Sequence, residues 1–154
     1  MITLKKAAQA DLMEIHRIQV ASFQALLDKY QDYGTNPAAE RFERILERFQ
    51  EKTTDYYLIC LNEQNIGMVR VCDFGTMCRI SPIGILPEFQ GHGFAQHSIV
   101  LVETRYPRAR KWTLDTIRQE QKLCYLYEKL GYTPTGKQET IQPGMDIVFY
   151  EKNV

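Results

Sequence analysis

The chain has 154 residues, of which 44% are apolar and 25% charged, so it can bury a core without disulfide or metal staples and is not a disordered segment. Nineteen Lys and Arg balance nineteen Asp and Glu, and this zero formal charge argues against nucleic acid as a partner, since such binding needs a basic excess to displace counterions. The first residues carry no apolar run of signal-peptide length and no stretch reaches the roughly 18 apolar residues that span a bilayer, so a cytoplasmic soluble domain with no membrane partner is expected.

Residues 2–7 predict a strand. A helix follows, with Asp11 as its N-cap and Leu12, Ile15, Gln19, Phe23 and Leu26 along one stripe. Residues 28–33, polar and aromatic and closed by Gly34, read as a loop. Asn36-Pro37 opens a second helix, a cap followed by proline at the first helical position, with Phe42, Ile45, Leu46 and Phe49 on its buried face. Strands at 56–61 and 66–74 flank a loop of Asn62-Glu63-Gln64-Asn65. Gly75-Thr76 turns the chain into a third strand, 78–86, in which Pro82 and Gly84 mark an edge, a bulge or a local parting of the sheet. After Gly91-His92-Gly93 a helix runs to about Arg105. Residues 110–116 form a strand, 119–130 a helix stopped by Gly131, and 132–138 with 145–151 a last strand pair. The order β-α-α-β-β-β-α-β-α-β-β predicts one α/β domain over residues 1–154, a mixed sheet with helices on both faces.

Cys60, Cys72, Cys78 and Cys124 contain no C-x-x-C pair, and His16, His92 and His97 do not cluster, so no metal is expected. The chemistry concentrates after the third strand of the middle sheet, where an apolar run stops at Pro87 and a helix is entered through Gly91 and Gly93. Glycines there let backbone N–H groups approach a bound group, and the helix start adds partial positive charge, an arrangement suited to a phosphate or pyrophosphate. A tight turn that binds nothing explains the same glycines. A Walker loop fails, because His92 and Phe94 follow the glycines where Lys and Ser or Thr are required. A dinucleotide fingerprint would need a third glycine where Gln96 stands, although Asp115 ends the next strand; an NAD(P)-binding oxidoreductase is the weaker rival.

Gln90, Gly93 and Ala95 fill the pattern Gln/Arg-x-x-Gly-x-Gly/Ala, and Leu126-Tyr127-Glu128-Lys129-Leu130-Gly131-Tyr132 matches L-Y-x-K-x-G-F/Y about thirty residues on. With these two segments and the element order, the chain resembles the GNAT family of acetyl-CoA-dependent N-acetyltransferases over essentially its whole length. The resemblance implies a mostly antiparallel mixed sheet and, as activity, attack of a primary amine on the acetyl thioester through a tetrahedral oxyanion, with coenzyme A thiolate leaving. The acceptor it implies is a small-molecule amine or a peptide, and a homodimer is among the expectations. A non-catalytic coenzyme A sensor is the alternative from another class.

By the same resemblance, the backbone of Gln90, Gly91, His92, Gly93, Phe94, Ala95 and Gln96 would hold the pyrophosphate, and the backbone around Ile83 and Ile85 would pair with the pantetheine arm. A backbone N–H near Ile85 would face the oxyanion. Tyr127 would protonate the departing thiolate, although Leu123, Leu126, Tyr127 and Leu130 also fit a helix stripe that would make it a core tyrosine. Asp73, Asp115, Glu120 and His16 are candidates for the base by residue type, beside a water chain. Tyr30, Asp32 and Tyr33 would border the acceptor. Two departures from the family pattern stand out: Gln90 is found where Arg is commoner, and Glu120 and Leu123 are found where the family often has Asn and, three residues on, the Ala that precedes its Leu-Tyr pair.

Overall fold

The computed structural model, which describes residues 1–154, runs in chain order through β1 (Ile2–Lys6), α1 (Leu12–Tyr30), α2 (Phe42–Phe49), β2 (Thr54–Leu61), β3 (Gln64–Asp73), β4 (Met77–Ile85), α3 (Phe94–Thr104), β5 (Lys111–Ile117), α4 (Gln121–Lys129), β6 (Thr133–Gln142) and β7 (Met145–Asn153). Short 3-10 turns precede α1, α2 and α3. The strands form one sheet in the order β1-β2-β3-β4-β5-β7-β6, antiparallel at every junction except β4–β5.

Alternation along β2 explains why helices cover both faces. Tyr56, Leu58 and Cys60 join a core with Leu12, Ile15 and Ile18 of α1 and Ile45 of α2. Tyr57 and Ile59 point the other way, into a core with Ile99 and Val102 of α3 and Tyr127 of α4. Each fully buried aliphatic side chain contributes about 1.5–3 kcal/mol, so both faces need cover. A mostly antiparallel sheet of this order is not the doubly wound parallel sheet of a dinucleotide fold, and the oxidoreductase reading fails on topology. No helix is long and apolar enough to cross a membrane.

Local chemistry shifts several expected boundaries. Asn36-Pro37 opens only a 3-10 turn: Asn36 accepts from the Ala38 N–H at 2.7 Å, Glu40 is extended, and α2 begins at Phe42. Asp11 spends its carboxylate on the Ala8 N–H at 2.8 Å, capping the 3-10 turn and not α1. The loop expected from residue 28 starts later, because α1 continues to Tyr30 and ends at Gln31 in a left-handed conformation (φ 52°). The β2–β3 hairpin closes on Asn62 and Glu63 alone, both at positive φ, so Gln64 and Asn65 belong to β3. β6 runs on to Gln142, an exposed edge strand without the apolar alternation that would announce it.

Candidate active site

β4 and β5 share only three pairs, Met77↔Lys111, Cys78↔Trp112 and Arg79↔Thr113, and then part. The cause lies on the other side of β4. Val71 pairs with Ile80 and Val69 with Ile83, so Ser81 and Pro82 together oppose Arg70, a bulge that bends β4 where the gap opens. Gly84 serves a different end: a Cβ there would meet Ser22 Cβ at 2.8 Å and Phe23 Cε2 at 2.9 Å, so the glycine lets α1 lie close on β4.

Phase in the ladder decides where the β4 amides point. Leu86 N–H donates to Ile66 O at 2.8 Å, so Leu86 and Gly84 face β3 while Ile83 and Ile85 turn their N–H and C=O groups toward the gap. No strand pairs with them there. Gln90 Nε2 donates to Ile85 O at 2.8 Å and ties the loop to β4, while Gln90 N–H closes the turn on Pro87 O at 3.3 Å.

Beyond Gln90 the donors are free. None of the backbone N–H groups of Gly91, His92, Gly93, Phe94, Ala95 and Gln96 has an acceptor within the chain; the first bond of the helix is His97 N–H to Gly93 O at 3.1 Å. Gly91 (φ 81°) and Gly93 (φ 79°) hold left-handed conformations, and a Cβ at either would meet no other part of the chain within 4 Å. The result is an open cradle of donors at the start of α3, with His92 and Phe94 stacked at 5.6 Å beside it. Gly93, Gln96 and His97 continue into a shallow groove bordered by Val100 and Leu130. The cradle offers the donors a pyrophosphate needs, and the outward Ile83 amides with the Ile85 N–H are left for an extended amide-bearing arm, the Ile85 carbonyl being taken by Gln90.

Tyr127 is packed as the helix stripe implies. Its ring is buried, against Tyr132 and Tyr150 with centroids 6.4 Å away in each case, yet its hydroxyl has no hydrogen-bond partner within the chain. Burial, then the charge of Asp115 and the neighbouring Cys124, push its phenol up, so it holds its proton at neutral pH. Tyr125 is exposed and lies off this face.

The four acid-base candidates separate. Asp115 stands on β5 beside the gap, bonded to Arg79 at 2.7 Å; burial pushes its carboxyl up, against the pull of Arg79. Glu120, at the entrance to α4, accepts from Lys29 Nζ at 2.7 Å and Tyr30 Oη at 2.5 Å; burial pushes it up, but those two bonds outweigh it and hold the carboxyl below its ordinary range. Asp73 instead accepts from Gly75 N–H at 2.9 Å in the β3–β4 turn, and the His16 ring meets Glu40 O at 3.0 Å between the helices. Asp32 is consumed by its own loop, accepting from the N–H groups of Gly34 and Thr35 and from the Thr35 hydroxyl, while Tyr33 is exposed.

Asp146 is a residue whose importance the sequence does not signal. Its carboxylate accepts from Arg118 Nη2 (2.8 Å), Gln119 Nε2 (2.7 Å) and Thr140 Oγ1 (2.7 Å), and its N–H donates to Gln119 Oε1 (3.0 Å). These bonds fix the β5–α4 corner and hence the helix that carries Tyr127. No group of three or more His, Cys, Asp or Glu side chains is arranged to hold a metal.

Solved structures share this architecture. A spermidine N-acetyltransferase from Vibrio cholerae, in complex with CoA and spermine, aligns over 99% of this chain and 95% of its own with a TM-score of 0.75 and 20% identity. An acetyl transferase from Salmonella typhimurium that modifies the N-terminal serine of ribosomal protein L7/L12 aligns over 99% of this chain and 95% of its own, with a TM-score of 0.77 and 16% identity. An acetyltransferase from Thermus thermophilus aligns over 100% and 97%, with a TM-score of 0.75 and 13% identity. No curated protein matches the chain in sequence. Residues 13–132, which hold α1, the parted strands, the donor cradle and Tyr127, match the family model for acetyltransferases of the GNAT type, and with that match across most of its length the chain belongs to the acetyltransferase (GNAT) family.

Proposed function

We propose that the gap between β4 and β5 is where this acetyl-CoA-dependent N-acetyltransferase moves an acetyl group to the primary amine of a small molecule or peptide by direct attack. What carries the reading is the cradle of unpartnered backbone donors that follows the parted strand β4; Tyr127, whose hydroxyl has no partner within the chain, is assigned as the acid that works beside it. Acetyl-CoA supplies the activated acetyl group, whose carbon gains a bond to the amine nitrogen and loses its bond to sulfur.

The chain's own groups do the rest. The N–H groups of residues 91–96 bind the pyrophosphate, Gln90 braces the loop against β4 through the Ile85 carbonyl, and the outward amides of Ile83 hold the extended arm as a further strand would. The Ile85 N–H faces the carbonyl oxygen as it gains negative charge. Tyr127 gives its proton to the departing sulfur and recovers one from solvent. Asp115, beside the gap and with its carboxyl pushed up by burial against the pull of Arg79, takes the proton lost by the amine, directly or through one water. Acceptors of the structural neighbours, spermidine in one and a ribosomal protein N-terminus in another, span both acceptor classes. A cytoplasmic location and a homodimer are part of the proposal on sequence grounds alone; sedimentation tests the second.

Thermal unfolding with acetyl-CoA, CoA and NAD tests the cofactor assignment. A ligand at one hundred times its dissociation constant stabilises the fold by about 2.7 kcal/mol. Stabilisation by acetyl-CoA and CoA is expected; a shift with NAD alone contradicts the assignment.

A further inference from the structure

Arg70 on β3 is a guanidinium without a carboxylate. Its Nη1 meets only Cys72 Sγ at 3.2 Å, and its Nε is buried with no acceptor. Tyr56, its partner in register on β2, buries a hydroxyl that is likewise unpartnered. The other charges around this patch satisfy one another: Arg48 pairs with Glu40 at 2.6 Å, and Arg79 with Asp115 at 2.7 Å. Glu139, on the edge strand β6, is exposed to solvent. A half-buried cation whose nearby carboxylate, Glu40, is already paired with Arg48 costs stability, so the patch is organised for something the chain itself does not supply.

Register says what the patch faces. Cys72, Arg79 and Thr113 lie in one line across β3, β4 and β5. Arg70 and Asp115 each lie two residues beyond that line in the same direction and on the same face, roughly 7 Å along the strands, with the gap between β4 and β5 opening between them. They flank the mouth of the gap at the same level, and the Arg70 charge is felt at Asp115. A molecule with its amine at Asp115 therefore has a positive, hydrogen-bond-donating surface within a few ångströms of its other end.

We propose that the acceptor is a primary amine that also carries a carboxylate, an amino acid or close analogue, with Arg70 holding the carboxylate while the amine turns to Asp115 and the gap. This rests on the acetyl-transfer reading above and narrows it. A polycation such as spermidine would set like charge against Arg70, and a peptide N-terminus has no carboxylate of its own at that distance.

Steady-state thiol release separates these acceptors. The panel contains amino acids that differ in amine-to-carboxylate spacing, their amides, spermidine and a short peptide, each with the wild type, Arg70→Gln and Arg70→Lys. At least one amino acid should exceed its own amide in kcat/KM by about 10- to 100-fold, the range of a charge-assisted hydrogen bond. Arg70→Gln should erase that preference, mainly through KM, and Arg70→Lys should restore part of it. Arg70→Gln should melt no lower than the wild type and keep its thermal shift with CoA, which shows that a lost preference is not a lost fold. Amides, spermidine or the peptide reacting as well as the acids overturns the inference, as does an acid preference that survives Arg70→Gln. Absence of thiol release with every amine overturns the transfer reading together with it.

Discussion

Arg79 Nη2 donates to Asp115 Oδ2 at 2.7 Å, joining β4 to β5 immediately beyond the last residues those strands pair. The bond closes one end of the gap and sets the ionisation of the carboxylate beside it. Burial favours the protonated acid at Asp115 and Arg79 opposes it. Removing the cation in Arg79→Gln should raise the pKa of Asp115 further. If Asp115 accepts the amine proton it must be ionised, so the acid limb of the kcat/KM profile should move to higher pH in the variant. An unmoved limb removes Asp115 from the proton path.

Gly93→Val should lose acetyl-CoA binding while the protein remains folded. The substitution meets no atom of the chain, so its cost in the fold is the left-handed backbone, φ 79°, at about 1–3 kcal/mol. Its larger effect is on the cradle, where the branched side chain enters the space in front of the free N–H groups. Loss of the acetyl-CoA thermal shift in a cooperatively unfolding variant is the expected result, checked by calorimetric titration.

Tyr127→Phe should lower kcat about 100-fold with little change in acetyl-CoA affinity. General-acid contributions run from about 10²- to 10⁴-fold, and a thiol of pKa about 8.5 leaves readily enough to need only the low end. Because the hydroxyl bonds to nothing in the chain and the ring keeps its contacts with Tyr132 and Tyr150, the melting temperature should not fall. A single-turnover rate within twofold of the wild type would return Tyr127 to a packing role.

Two kinds of information in the chain behave differently here. Features set by local backbone chemistry are legible: α3 is entered through Gly91 and Gly93, and the irregularity around Pro82 is a bulge at the point where β4 leaves β5. Gly84 reads in sequence as part of the same irregularity, but it is required by the contact with Ser22 and Phe23, which only the packing of α1 reveals. Asn36-Pro37 misleads because the same cap chemistry starts a 3-10 turn as readily as an α-helix. Arg70, Asp115 and Asp146 cannot be ranked from sequence, since what distinguishes them is register between distant strands. Nothing near Arg70 in sequence says that its charge is unpaired.

Acid should reveal the Asp146 corner. Bonds from Arg118, Thr140 and Gln119 hold this carboxyl down at about 2, below its ordinary value near 4. A depressed carboxyl stabilises the fold fully above the unfolded value and loses that contribution as pH falls through the folded one, so the window is about pH 4 to 2. Asp146→Asn should therefore melt below the wild type at pH 5 to 7, with the difference shrinking through that window. A difference that stays constant down to pH 2 would mean the charge is not what holds the corner.

Single-turnover transfer from acetyl-CoA to a primary amine tests the central claim most directly, with thiol release and acceptor mass followed in the same reaction. Equal yields of free CoA and acetylated amine are expected from the wild type, with the amine required for both. Thiol release that proceeds at the same rate without the amine, or tight acetyl-CoA binding with no acetylated product from any primary amine, would contradict it.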